Sequence, residues 1–331
     1  MKTLRLICGV FFAFVAGNAL ACASCGCTLN SDWGSQGLSN QSGWSGDIRF
    51  DAVNQNKLRA GTSSISPLAA SQLTNTQLNT PAEVEQYTRT NTLTATLDYS
   101  NGDTWGISIV APYLSRSHST LGSGSDGVIF DPQNGAYSSN SSGIGDIRII
   151  SRYFGFLDMR NLGVQAGLKL PTGQTNQLAN DGVTPVDPGL QLGTGTTDLI
   201  LGAYYFDNFS DNWGYFLQGQ YQHALNQSTI NGQSYKPGDG WNFTAGLRYE
   251  GFETFQPMLQ VNHRIVNTDS GDAADTFATG GTLVYLTPGL IVPVSRQMSL
   301  YGNIQLPIYQ NVNGIQLVPT AIFSVGARFS F

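Results

Sequence analysis

Between Gln86 and Tyr99 polar and apolar residues alternate with a period of two. Thr88, Thr90, Thr92, Thr94, Thr96 and Asp98 fall on one face, and Tyr87, Leu93, Ala95, Leu97 and Tyr99 on the other. A helix would mix these sets, so the segment predicts a β-strand with one wet face and one apolar face. The same alternation recurs over Trp44 to Asn54, Trp105 to Ser115, Gly143 to Tyr153, Leu162 to Pro171 and Thr197 to Phe206. It continues over Trp213 to Leu225, Trp241 to Glu250, Pro257 to Val266, Thr282 to Val292, Met298 to Tyr309 and Ile315 to Phe331. About twelve strands result, with almost no helical pattern between them.

The connections alternate in length. Short links lie near Asn101-Gly102, Gly155 to Asn161, Asp207 to Asn212, Gly251 to Gln256 and Ser295 to Gln297. Longer polar links lie near Lys57 to Glu85, Arg116 to Ser142, Thr172 to Thr196, Asn226 to Gly240 and Asn267 to Thr279. An even number of roughly ten-residue alternating strands, joined by short turns at one end and long loops at the other, predicts an all-β, antiparallel, up-and-down transmembrane β-barrel. On this reading the short turns face the periplasm and the long loops face outward.

Composition narrows the picture. Of 331 residues only 11% are charged and 40% are hydrophobic, yet mean hydropathy is slightly negative at -0.12. Beyond the N-terminus no run approaches the roughly 18 apolar residues a membrane helix needs, so a membrane-spanning chain of this kind has to close its backbone hydrogen bonds as a barrel. Lys2 and Arg5, the apolar stretch Leu6 to Val15, and Ala19-Leu20-Ala21 have the layout of a secretory signal, which predicts removal of residues 1–21 and a mature start at Cys22. Loss of Lys2 and Arg5 with that segment takes the formal charge from -6 to -8, leaving no basic face for nucleic acid. The expected organisation is therefore a cleaved signal (1–21), a Cys-rich periplasmic segment (22–43) and a barrel (44–331).

The end of the chain agrees. Ala321, Phe323, Val325, Ala327, Phe329 and Phe331 share one face, and the chain stops on an aromatic, an ending similar to the recognition signal of outer-membrane barrels. Trp105, Trp213 and Trp241 each open a strand, as interfacial girdles would place them. These features assign the protein to the outer membrane of a Gram-negative bacterium, with membrane lipid and lipopolysaccharide as its surroundings.

Assigning each apolar set to lipid turns Asp47, Arg49, Asp51, Asp98, Asp146, Arg148, Arg152, Lys169, Asp198, Arg248, Glu250, Arg264 and Arg328 into the lumen, six acids and seven bases, together with a ladder of Gln218, Gln220 and Gln222. Such charges are costly on a lipid face and tolerable in a wet lumen. They could brace the barrel by pairing across strands, or line a solute path with weak ion selectivity. The outer rim is expected to be net negative, with ten acids, among them Glu83, Glu85, Asp187, Asp269 and Asp275, against five bases including Arg116. Of the three histidines, His118 falls in a loop, His223 beside the Gln ladder and His263 on the lipid face, so no Asn/His/Ser set forms and no enzymatic activity is expected.

Cys22, Cys25 and Cys27 are the cysteines left once Cys8 departs with the signal. An odd count in an oxidising compartment cannot pair fully within one chain. Three fates are open: a soft ion such as Cu(I) or Zn(II), or a redox partner, at three thiolates; a single disulfide with one free thiol; or lipidation of Cys22.

From Gly143 to Asn226 the sequence resembles the outer-membrane family named for the MetA pathway of phenol degradation. The matching pieces are Gly145-Asp146-Ile147, Leu168-Lys169-Leu170-Pro171-Thr172-Gly173, and Leu192-Gly193-Thr194-Gly195 with Asp198. The resemblance implies a barrel that passes small aromatic or hydrophobic compounds, and the Cys-rich start looks like a distinct subgroup. Two functions follow from different classes. One is a passive channel for such a solute. The other is an outer-membrane platform whose periplasmic CxxCxC segment binds a soft metal or a redox partner.

Overall fold

A computed structural model describes residues 42–124 and 129–331. Thirteen extended segments form one sheet, eleven of them in a closed ring. The strands are β1 (Gly43–Gly61), β2 (Glu83–Ser100), β3 (Trp105–Ser123), β4 (Tyr137–Ile144 and Arg148–Tyr153), β5 (Leu162–Lys169), β6 (Asp198–Ser210) and β7 (Trp213–Ala224). They are followed by β8 (Gly240–Tyr249), β9 (Gln256–Val266) and β10 (Gly281–Pro293).

Every seam of the ring is antiparallel, which an odd number of strands cannot satisfy. The last segment, Met298–Ser330, restores parity. It is a single extended run of 33 residues, but residues 299–312 pair with β10 and residues 312–330 with β1. The two arms face each other: Ser330 N donates to Gln297 O at 2.8 Å, and Gln310 Nε2 to Pro319 O at 3.0 Å. The fold-back lies at Asn313-Gly314, where Gly314 takes a left-handed φ of 53°. These arms are β11 (299–312) and β12 (315–330), so the chain makes twelve passes, as the alternation predicts.

Burial follows the pleat with the usual sense inverted. On β2, Thr92 and Thr94 are 4% and 6% exposed while Leu93 between them is 48% exposed. Threonines point into the barrel and leucines into lipid. Outward apolar residues run from Leu93 to Tyr99 on β2 and from Trp105 to Tyr113 on β3, seven and nine residues, close to the span a tilted strand needs to cross a bilayer. Aromatic girdles bound the belt. Trp44, Tyr99 and Trp105 pack in sequence as tilted pairs at the short-turn end, with centroids 5.1 and 5.6 Å apart. Tyr221 and Trp241 form a tilted pair at the other, with centroids 4.3 Å apart.

β1 to β3 and β12 continue beyond this belt on the long-loop side, and loops fold over the extension. The 62–82 connection contains a short helix, Pro67–Ser71, capped by Ser66. Its Ala70 packs with Leu58, Ala82, Val84, Leu121, Ile315 and Leu317 into a small apolar core above the membrane. Towards the short-turn end the lumen holds Phe154, Tyr204 and Phe216 with Phe206 against them. The Tyr204 and Phe216 rings lie where a Cβ on Gly163 or Gly246 would stand, so these two glycines let large side chains lie flat across the neighbouring strand.

Three expectations need correction. β4 is interrupted at 145–147, where Asp146 serves loop contacts instead of a ladder. His118 lies in β3, 1% exposed, because that strand runs past the membrane and its inner face is roofed by the cap. The outer rim is less acidic than composition implies: Glu85, Asp187, Asp269 and Asp275 are buried among the loops, and Arg116 turns into the lumen.

Candidate functional site

The lumen holds a cavity of about 320 Å³, walled by inward side chains of the strands and by residues of the long loops. Of the lumen residues read from the sequence, Arg49, Asp146, Arg148, Arg152, Lys169, Asp198, Gln218, Gln220, Gln222 and Arg264 line it. Asp47, Asp51, Asp98, Arg248, Glu250 and Arg328 share the inner face but lie outside the cavity wall. Tyr301 Oη donates to both oxygens of Asp47 at 3.0 Å, and Arg328 stands opposite Asp47 in register. Asp51 accepts from Arg49 Nε at 2.9 Å. Arg152 forks onto Asp98, with one arm at 2.7 Å, and Arg248 pairs with Glu250. Bracing and lining thus overlap: Arg49 and Arg152 line the cavity while pairing with Asp51 and Asp98 just outside it.

The three separated sequence pieces that carry the family resemblance meet at one knot. Lys169, on the last position of β5, donates to Asp146 at 2.8 Å and lies 3.2 Å from Asp198. Asp146 also accepts from the backbone of Gly173 at 3.0 Å and of Thr194 at 3.1 Å. Thr172 Oγ1 donates to Gly145 O at 2.7 Å and accepts from Ile147 N at 2.9 Å. Asp198 accepts from Thr196 Oγ1 at 2.6 Å and from Gln222 Nε2 at 2.5 Å. All three charges are buried, and with every oxygen engaged the group is satisfied. Its effect is to pull the 170–197 loop down into the barrel.

Arg116 completes that anchoring. Its guanidinium donates to Gly189 O at 2.9 Å and Gln191 O at 3.2 Å, and to Thr90 Oγ1 at 3.1 Å. Gln191 and Leu192 are thereby set into the cavity wall. Sequence reasoning missed Arg116, Gln165, Asp269 and the apolar Val110, Pro112 and Leu114. A signal was present for the last three, since Ile109 to Leu114 is apolar on both faces of β3 and breaks the alternation.

Above the belt a second set of buried groups lies under the cap. Burial pushes the Glu83 carboxyl up to about 7, the neighbouring Asp275 adding to it. Burial, with the charge of Glu83 beside it, raises Glu85 well above the ordinary carboxylate range. Asp275 is pushed up to about 6, again by burial first. His118, which shares a hydrogen bond with Thr88 Oγ1 at 2.8 Å, is pulled down to about 3 by burial and then by Arg116. Cys22, Cys25 and Cys27 lie outside the described residues.

Comparison with solved structures places this architecture. An outer membrane channel from Pseudomonas putida F1 superposes with a TM-score of 0.63 at 14% identity, over 88% of this chain and 96% of that one. The Ralstonia pickettii toluene transporter TbuX gives a TM-score of 0.43 at 11% identity, over 88% of this chain and 90% of that one. No curated protein matches the chain in sequence. The profile of the family described as "Putative MetA-pathway of phenol degradation" matches residues 54–306, a span that holds every piece of the buried knot, and the chain belongs to that family of outer-membrane barrels.

Proposed function

We propose that this barrel is a passive outer-membrane channel for small, hydrophobic or aromatic solutes and not an enzyme. The observation that carries the reading is the cavity itself: a lumen chamber with apolar and polar walls, at the small end of the roughly 300–1,000 Å³ typical of ligand sites, with the loop residues Gln191, Leu192, Tyr235 and Pro237 in its wall. Membership in a family named for phenol degradation favours a single aromatic ring as cargo. The titratable groups around the chamber hold one another and the loops, an arrangement suited to shaping a passage. Purified full-length protein in planar bilayers should show discrete openings, with current blocked by phenol. Absence of both openings and solute-dependent block would overturn the reading.

For the segment before the barrel we propose removal of residues 1–21 and a thiol site at Cys22, Cys25 and Cys27 that takes Cu(I) or Zn(II), or a periplasmic redox partner. Its support is the odd thiol count in an oxidising compartment. Intact mass of the mature protein is expected to begin at Cys22 without acyl chains. The reduced protein should bind Cu(I) or Zn(II) more tightly than the triple Cys-to-Ser variant, and equal affinities would end the proposal.

A further inference from the structure

Where β7, β8 and β9 meet the chamber, the antiparallel register sets inward side chains in rungs. One rung is Gln218, Thr244 and Asn262, the next Gln220, Asn242 and Arg264, and the third Gln222, Gly240 and Val266. All but Asn262 line the cavity. Apart from Arg264, which is not without a partner, this stretch of wall is uncharged. Its hydrogen-bonding capacity is largely unspent. Gln222 Nε2 donates to Asp198 at 2.5 Å, but no hydrogen bond joins Gln218 or Gln220 to another described residue. Asn242 Oδ1 and Asn262 Oδ1 are buried and accept from no donor. A half-turn of the Asn242 carboxamide about its broad terminal torsion brings its oxygen to the chamber.

Gly240, one rung above Asn242, leaves a recess in this wall. A Cβ placed on it would meet nothing within 4 Å. The other glycines of the barrel have reasons to be glycine: Gly163 and Gly246 lie under rings, and Gly182 and Gly232, where a Cβ would also meet open space, take left-handed φ of 73° and 78°. Gly240 has neither reason, and a strand glycine of that kind marks a place where a ligand comes close to the backbone. Val266 stands across the ladder from it, and Ala224 and Pro237 also line the chamber. An apolar recess therefore adjoins a rung of open amides. The apolar strip of Val110, Pro112 and Leu114 on β3 bounds the chamber four strands away round the ring. The other charged residues of the wall are engaged with the protein: Arg49 with Asp51, Arg152 with Asp98 and Lys169 with Asp146 and Asp198. Arg116 holds the loop carbonyls, Asp269 accepts from Tyr235 and Gly238, and Arg148 is not without a partner.

We propose that the cavity binds an uncharged solute that joins a hydroxyl group to an apolar body, the body in the recess at Gly240 and the hydroxyl on the amides of Gln220 and Asn242. A primary amide offers both an acceptor and donors. A hydroxyl donates to the first and accepts from the second. An ether only accepts and a hydrocarbon does neither, so each leaves amide groups that have given up water and gained nothing. A carboxylate has no proton to donate, and the cations around it are already engaged. This proposal rests on the channel reading above and adds to it the functional group that the cargo carries.

The test is calorimetric binding of 4-methylphenol, anisole and benzoate to the detergent-purified full-length protein at pH 7. The first two are isomers of equal size, one with an O–H and one without. They are compared in the parent, in the double variant Gln220→Leu, Asn242→Leu, and in Gly240→Val, with folding checked by the heat-dependent gel shift of the intact barrel. Methylphenol is expected to bind about tenfold more tightly than anisole, the scale of one buried hydrogen bond, and more tightly than benzoate. The double variant should bring methylphenol down to the level of anisole while anisole binds as well as before or better, which a merely loosened barrel would not do. Gly240→Val should weaken both isomers alike. Anisole binding as tightly as methylphenol in the parent, or a preference that survives the double variant, overturns the hydroxyl assignment while leaving an apolar channel standing. Benzoate binding most tightly overturns the uncharged cargo, and undiminished binding in Gly240→Val overturns the recess. No binding by any of the three compounds overturns both this proposal and the channel reading.

Discussion

Asp146 shows how much one side chain can organise. It sits in the break of β4 and collects Lys169 Nζ and the backbone N–H groups of Gly173 and Thr194. The loop it fastens forms part of the cavity wall. Replacing it with Ala leaves the Lys169 ammonium with half its counter-charge and two buried N–H groups with no acceptor. Loss of one member of a buried ion-paired set costs about 3–5 kcal/mol. We expect Asp146→Ala to lower barrel stability on that scale in urea titrations in micelles, and to make the 170–197 loop cleavable by added protease. Unchanged stability and an intact loop would mean that the knot is ornamental. The residue is legible in the sequence only as an inward-facing acid; its partners lie 23 to 48 positions away, brought close by a loop that no periodicity describes.

Strands were readable because a pleat exposes its period directly: twelve alternating stretches gave twelve passes, their lower ends marked by Trp44, Trp105 and Trp213. Their upper ends were not readable. Above the membrane, β1 to β3 carry polar residues on both faces, and a strand of that kind looks like a loop, so the sequence alone places Arg116 and Glu85 at the rim and His118 in a loop. The cap above them should respond to pH through two opposing kinds of group. Glu85 and Asp275 hold a proton more tightly in the closed cap than in an open one. Their contribution to closure is full below their ordinary values of 4.5 and 3.8, and is lost as pH rises through the elevated values, about 6 for Asp275. His118 is depressed from 6.5 to about 3, so its contribution is full above 6.5 and is lost as pH falls towards 3. Protease cleavage within residues 62–82 of the folded barrel should therefore rise from pH 5 to pH 8 less steeply in Glu85→Gln and Asp275→Asn than in the parent protein. Identical slopes would show that these carboxylates do not couple to the cap.

At the scale of the molecule, the orientation follows from loop length and girdle placement. Tags inserted at Asn134 and Asn267 are expected to be labelled on intact cells and a tag at Asp158 to be silent; the reverse pattern would invert the barrel. The fold was legible almost entirely because closure, parity and belt height are repeated twelve times along the sequence. The chamber was half legible, since its charged wall obeys the alternation and its roof and apolar strip do not. The seam between β1 and β12 has one more consequence. Phe331 N donates to Trp44 O at 2.9 Å, so the two ends of the barrel lie side by side on the short-turn rim. A short peptide could join residue 331 to residue 43 and new ends be cut at Asn134, giving a circular permutant of the same ring. Such a permutant should refold from urea into detergent micelles with the parent's gel shift, yet fail to reach the outer membrane in cells, because the terminal aromatic would now be buried mid-chain. Failure to refold would instead mean that the order of the strands, and not only their pairing, is needed to close the ring.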